Sequence, residues 1–190
     1  MPTATKTETT PTLTAQVVPA GALHTISLLV ANKPGVLVRV ALVFARRGYN
    51  IESLVVSPAI SVTGVESKAG EFSRMTITCS GDVETLEQII KQLEKLIDVV
   101  HAIDHTGQAV IETEVALVKV KVALEARTTV LQIVEHYRAR VVDYGTDSMI
   151  VRVVGDSTKL DSFINLAMQF GIIELVRSGK IIMSRGLAET

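Results

Sequence analysis

Apolar residues along this chain recur with two periods, and the places where one gives way to the other mark out its elements. Leu23 to Ala31, "LHTISLLVA", is a short apolar run stopped by Asn-Lys-Pro-Gly, the pattern of a buried strand. The next stretch, "GVLVRVALVFARRGYN", sets Leu37, Val40, Ala41 and Phe44 at the i, i+3, i+4, i+7 spacing of an amphipathic helix, with Gly48 placed to end it in a left-handed conformation. "NIESLVVSP" then predicts a strand closed by Pro58, and "AISVTGVESKAGEF" is a polar, Gly-bearing loop long enough to be mobile. In "SRMTITCS", Met75, Ile77 and Cys79 alternate with Arg74, Thr76 and Thr78 across a third strand. Asp82 is a good N-cap for a helix with apolar Leu86, Ile90, Leu93 and Ile97, and "DVVHAIDH" adds a short apolar strand.

The order from Leu23 to His105 is thus β-α-β-β-α-β, the ferredoxin-like pattern. It recurs: "EVALVKVKVAL", "TTVLQIVEHYRA", "RVVDYG", "SMIVRVV", "DSTKLDSFINLAMQF" and "GIIELVRSG" read as strand, helix, strand, strand, capped helix and strand. "MTITCSGDVETLEQI" echoes "MIVRVVGDSTKLDSF", with Met75, Gly81, Asp82 and Leu86 answering Met149, Gly155, Asp156 and Leu160 at one constant offset. Two related folds in tandem is the economical reading. The expected class is α+β: residues 1–21 a disordered tail, 22–106 one βαββαβ domain, 107–190 a second.

Composition fits two small domains. The 190 residues are 47% hydrophobic, and the 19 basic and 20 acidic residues are mixed along the chain, leaving a net charge of −1 and no electrostatic footprint for nucleic acid or an anionic membrane. Cys79 is the only cysteine, which excludes an internal disulfide and points to a reducing, cytoplasmic compartment. Nothing approaches the run of about 18 apolar residues that spans a bilayer. The Thr- and Pro-rich start lacks the basic and apolar blocks of a secretory signal, and with Lys6 as its lone basic residue it makes a poor transit peptide.

Catalytic motifs are absent: no G-x-S-x-G, G-x-G-x-x-G, P-loop, C-x-x-C or H-E-x-x-H occurs. His101 and His105 could share a strand face and hold a metal, but alternation sends Asp104 to the opposite face and leaves no third ligand, so surface histidines are the plainer reading. His24 and His136 stand alone, Cys79 reads as a small buried side chain, and Arg46-Arg47 suits the negative end of a helix dipole. A ferredoxin-like sheet can bind RNA through exposed aromatics, which "SRMTITCS" does not offer.

One constellation remains. In "ANKPGVL" a Pro-Gly turn leads into a helix whose first backbone amides are unpaired and suit a carboxylate; Asn32 adds an amide, and Gly35 permits close approach to the backbone. Asn50 opens the second strand beside Ile51 and is expected across the same end of the fold, so the set would suit a small zwitterion with an apolar side chain. Turn chemistry and capping account for the same residues without any ligand.

The segments "LLVANKPGVLVRVALVFARRGYNIESLVVSP", "SRMTITCSGD", "LEQIIKQLEKLIDVV", "ALVKVKV" and "RSGKIIMSRG" resemble, from about Leu23 to Gly186, the regulatory (small) subunit of acetolactate synthase, also called acetohydroxyacid synthase. That resemblance implies an N-terminal ACT domain followed by a second ferredoxin-like domain. It implies a homodimer joined through ACT sheets, a branched-chain amino acid (valine foremost) bound between them, and both activation and feedback inhibition of a separate catalytic subunit. By motif, Asn32, Gly35, Val36 and Leu37 match the effector loop and helix start, and Asn50 with Ile51 match the facing segment. Some relatives carry Ser where this chain has Pro34, and the loop after Pro58 is longer than in short bacterial forms. The chain itself would bind no cofactor or metal and catalyse nothing; thiamine diphosphate, Mg and FAD would belong to the catalytic partner. Two other readings compete: a stand-alone amino-acid sensor acting on another enzyme or a transcription factor, and a small enzyme using His101 or His105.

Overall fold

The structure is a computed structural model that describes residues 23–59, 70–186 and 190; the stretch read above as a tail and most of the loop after Pro58 lie outside the described residues. The first half runs β1 (Leu23–Ala31), α1 (Val36–Arg46), β2 (Asn50–Pro58), β3 (Phe72–Ser80), α2 (Val83–Leu93) and β4 (Val99–Asp104). The second runs β5 (Ile111–Lys121), α3 (Arg127–His136), β6 (Arg140–Tyr144), β7 (Ser148–Gly155), α4 (Ser157–Ala167), β8 (Ile172–Arg177) and a short β9 (Ile181–Met183). The sheets are ordered β2-β3-β1-β4 and β6-β7-β5-β8, with β9 pairing the start of β5. This is the βαββαβ arrangement twice over, each sheet burying one face under its pair of helices.

The echo between the halves is structural as well. Asp82 and Asp156 each cap a helix, their side chains accepting from the amides of Thr85 and Lys159 at 2.8 Å. Those bonds hold the Asp82 carboxyl below its ordinary pKa.

Two helices differ from the expected stripes. On α1 the buried residues are Val36, Val40 and Phe44, whereas Leu37 faces out. The helix carries two apolar stripes, and periodicity alone does not choose between them. The outward stripe includes Leu37, Leu42 and Val38, the last 61% exposed. Helix α2 ends at Leu93 instead of running to Ile97, and its buried residues are Leu86, Ile89 and Leu93. Turn bonds from Leu96 and Val99 then bring the chain round into β4, leaving Ile97 in solvent.

The first sheet is covered on both sides. Ser27, Leu29, Thr76 and Thr78 point away from the helices and are nevertheless buried. Against this face lies the turn between β8 and β9, where Gly179 has space for no more than its hydrogens: a Cβ there would stand 2.7 Å from Ser53 Cβ. No helix among the described residues is long and apolar enough to cross a membrane.

Candidate functional site

The loop from Asn32 to Gly35 is held open at the end of β1. The Asn32 backbone amide donates to the Glu71 carbonyl (2.8 Å) and its side-chain Nδ2 donates to the Gly70 carbonyl (2.9 Å), so the amide side chain is fixed with Oδ1 left to accept. Gly35 takes φ +83°, a left-handed conformation that lets the chain turn straight into α1 without a side-chain cap. Val36 then plugs into the core, while Leu37 lies at the surface. The amides of Leu37 and Val38 have no acceptor among the described residues, as expected for the first turn of an uncapped helix. Arg39 secures this turn through an ion pair with Asp98 at 2.5 Å. One short stretch of chain at the end of β1 therefore carries an acceptor, free backbone donors and an apolar side chain, the chemistry needed for a small zwitterion.

Asn50 and Ile51 are not part of that cluster within one chain. Both β1 and β2 pair antiparallel with β3, so they run parallel to each other, and Asn50 lies level with Leu23, both opposite Ser80. At ~3.3 Å per residue the start of β2 is roughly 25 Å from the end of β1. The expectation that Asn50 lies across the same end of the fold is thus corrected: a βαβ crossover returns the chain to the end where it began. Asn50 is exposed and donates to Glu52 Oε1 (2.9 Å), and Ile51 is half-buried opposite Cys79.

In the second domain Arg127 starts α3 and its side chain donates to the carbonyls of Gly145 (2.7 Å) and Thr146, its guanidinium 4.7 Å from the Tyr144 ring centroid.

The histidines are less ordinary than surface residues. His24 is buried and hydrogen-bonds through Nε2 to the Gly81 carbonyl at 3.0 Å. His101 and His105 do share a strand face, turned away from the helices, and Ser27 on that face meets His105 Nε2 at 2.8 Å. His105 is only 4% exposed, and neither its Nδ1 nor His101 Nε2 has a hydrogen-bond partner among the described residues. Among the described residues no group of three His, Cys, Asp or Glu side chains is placed to hold a metal. Burial pushes the His105 pKa below the usual histidine value, aided by the charge of Arg74 and opposed by Gln108 and Asp104. A group held neutral in the fold stabilises it fully above the unfolded pKa and less as pH falls through that value toward the folded one. Urea melts from pH 7.5 to 5 are therefore expected to lose stability below about pH 6.5, and His105→Gln to flatten that dependence; an unchanged profile would place the titration elsewhere. Cys79 is buried, and that burial pushes its thiol up to about 12, so it stays protonated at neutral pH.

Sequence reasoning missed the chemistry of "RSGK". Arg177 joins the buried Glu114 to Asp161 (2.7 Å to the latter), and Glu114 also accepts from Ser157. Ser178 exchanges bonds with Val115, Gly179 packs on Ser53, and Lys180 pairs with Glu112 at 2.8 Å. Glu114, Ser157, Asp161, Arg177, Gly179 and Lys180 line one side of a cleft of about 400 Å³ whose other side is Leu23, Glu52, Ser53 and Thr78. Only the partners' positions in space reveal them, because Arg177 and Glu114 lie far apart in sequence.

Family models match both halves of the chain: residues 26–101 match the ACT domain of acetohydroxyacid synthase small-subunit-like proteins, and residues 113–186 match the small subunit of acetolactate synthase. A probable acetolactate synthase small subunit of Archaeoglobus fulgidus is 45% identical, over 86% of this chain and 97% of that one. A counterpart from Methanothermobacter thermautotrophicus is 46% identical, over 86% and 93%. The crystal structure of the acetolactate synthase small subunit from Thermotoga maritima superimposes with a TM-score of 0.73 at 37% identity, covering 87% of this chain and 99% of that one.

Proposed function

The chain belongs to the family of acetolactate synthase small subunits, and on that premise we propose that it raises the activity of a catalytic subunit and makes that activity sensitive to a branched-chain amino acid, valine foremost. The observation that carries this reading is the loop at Asn32–Leu37, with its free acceptor, free helix amides and apolar neighbour. The amides face the effector's carboxylate, Asn32 Oδ1 takes its ammonium, and Leu37 bounds its side chain.

The distance to Asn50 is resolved by a second copy. Strand β2 is the outer strand of its sheet. Antiparallel pairing of two β2 edges about a two-fold axis places the N-terminal end of one strand beside the C-terminal end of the other. Asn50 and Ile51 of the partner subunit then stand at the end of the sheet that carries Asn32. Helix α1 crosses from β1 to β2, so its outward stripe of Leu37, Val38 and Leu42 meets its own copy in the same dimer. The effector site is completed by dimerisation, and effector binding selects between dimer arrangements. A ligand shifts its partner only by its differential affinity for those arrangements, typically about 1 to 3 kcal/mol.

Catalysis lies elsewhere. The catalytic subunit supplies thiamine diphosphate, Mg and FAD and joins two ketoacids; this chain supplies control, in the cytoplasm. The test is the acetolactate-forming rate of the cognate catalytic subunit, alone and with this chain, across a valine titration. Stimulation that valine reverses is expected. Stimulation with no response to any branched-chain amino acid would sink the effector assignment, and no stimulation would favour a stand-alone sensor.

A further inference from the structure

Strands β2 and β6 occupy the same place in their sheets, and each carries a β-bulge at its third residue. On β2 the pairing with β3 runs Asn50 to Ser80, Ile51 to Cys79 and then Ser53 to Thr78, so Glu52 is the extra residue. On β6 the pairing with β7 runs Arg140 to Arg152, Val141 to Val151 and then Asp143 to Ile150, so the extra residue is Val142. The bulge therefore belongs to the fold and forms around a carboxylate or an apolar side chain alike. What the first domain adds is the carboxylate.

The bulge decides what Glu52 touches. Ile51 packs against the core, and Asn50 and Ser80 lie level on the opposite face of the sheet. Glu52 Oε1 accepts from Asn50 Nδ2 at 2.9 Å and from Ser80 Oγ at 2.8 Å, and the carboxylate enters no ion pair among the described residues. A side-chain amide can present its oxygen or its nitrogen, but an ionised carboxylate only accepts. Beside Glu52, Asn50 turns its Nδ2 to the carboxylate and keeps Oδ1 for another donor. Asn32 is set the same way by a different partner, its Nδ2 donating to the Gly70 carbonyl. Both asparagines therefore offer oxygen, which is what an ammonium group with three N–H donors requires.

We propose that Glu52 is a positioning residue of the effector site: it fixes the Asn50 amide so that its oxygen meets the effector's ammonium across the dimer. This rests on the two-chain effector site proposed above. Glu52 itself touches no effector.

The test measures valine inhibition of the holoenzyme, each variant against its own valine-free rate, for Asn50→Ala, Glu52→Ala, Glu52→Gln and the double variant Asn50→Ala with Glu52→Ala. Glu52→Ala is expected to raise the half-inhibitory concentration about fivefold or more. Glu52→Gln keeps an acceptor but can also turn its nitrogen to Asn50, so it should fall between Glu52→Ala and the unaltered chain. Because Glu52 acts through Asn50, the double variant should be no worse than Asn50→Ala alone. Melting midpoints of the Glu52 variants should stay within about 2 °C of the unaltered chain, since the residue is exposed and the bulge does not depend on its charge. Losses that multiply in the double variant, Glu52→Gln no better than Glu52→Ala, or a fall in melting midpoint that tracks the lost inhibition would each overturn the positioning role. Inhibition lost in Asn50→Ala but intact in Glu52→Ala would overturn it too and leave the two-chain effector site standing. Inhibition intact in Asn50→Ala would take Asn50 out of the effector site, and this role with it.

Discussion

Replacing Asn32 by Ala is expected to abolish inhibition by valine over concentrations that inhibit the unaltered holoenzyme, while stimulation without valine persists. A hydrogen bond to a charged group contributes roughly 1.5 to 3 kcal/mol, so the half-inhibitory concentration should rise about tenfold to a hundredfold or more. The substitution also frees the Gly70 carbonyl, but that bond is exposed and the backbone amide of residue 32 still reaches Glu71, so the loop keeps its main anchor. Gly35→Ala acts by another route. Its φ of +83° costs a side-chain-bearing residue about 1 to 2 kcal/mol. A Cβ would stand 3.3 Å from the flexible end of Arg39, which can move aside. The new residue therefore turns the helix amides away from the effector without disturbing the core. Asn50→Ala should match Asn32→Ala in direction if two copies build the site. Normal valine inhibition in Asn32→Ala would show that the effector binds elsewhere, and inhibition unchanged in Asn50→Ala alone would confine the site to one chain.

The division between legible and illegible features follows from what a linear pattern encodes. Strand, helix and cap are local, so the βαββαβ order, the caps at Asp82 and Asp156 and the left-handed Gly48 were readable. The turn at Asn32–Gly35 and the helix start that follows it were readable too, since Asn, Pro, Gly and a helix start are contiguous. What failed needed three dimensions. Val36 and Leu37 exchanged roles because α1 has two apolar stripes, one for the core and one left outside. Asn50 was set beside Asn32 because adjacency of motifs was taken for adjacency in space, whereas parallel β1 and β2 hold them at opposite ends. His105 read as a surface histidine, yet it is buried where the second face of the first sheet is covered, and β-alternation carries no mark of what covers it.

That cover leads to the other large effect, at Gly179. Gly179→Val is expected to destabilise the protein by about 2 to 4 kcal/mol, the sum of left-handed strain and overpacking. Gly179 has φ +83°, and a Cβ would meet Ser53 Cβ at 2.7 Å and Oγ at 2.8 Å, atoms held by the sheet and unable to swing away. Gly171 makes the control, with φ +81° and nothing within 4 Å of a Cβ: Gly171→Val bears the strain without the collision. A chain of this length loses about 2 to 4 °C of melting midpoint per kcal/mol, so Gly179→Val should melt about 5 °C below Gly171→Val. Ser178 and Lys180 are tied to β5, so the turn cannot retreat without breaking bonds to Val115 and Glu112, and the strain falls on the contact between domains. The functional consequence is separable from stability. At a temperature where Gly179→Val remains folded, valine should still bind its first domain while inhibiting the holoenzyme less, because the sensing sheet has lost its contact with the second domain. If the two glycine variants melt together and respond to valine alike, the "RSGK" turn is a local feature of the second domain and coupling runs by another path.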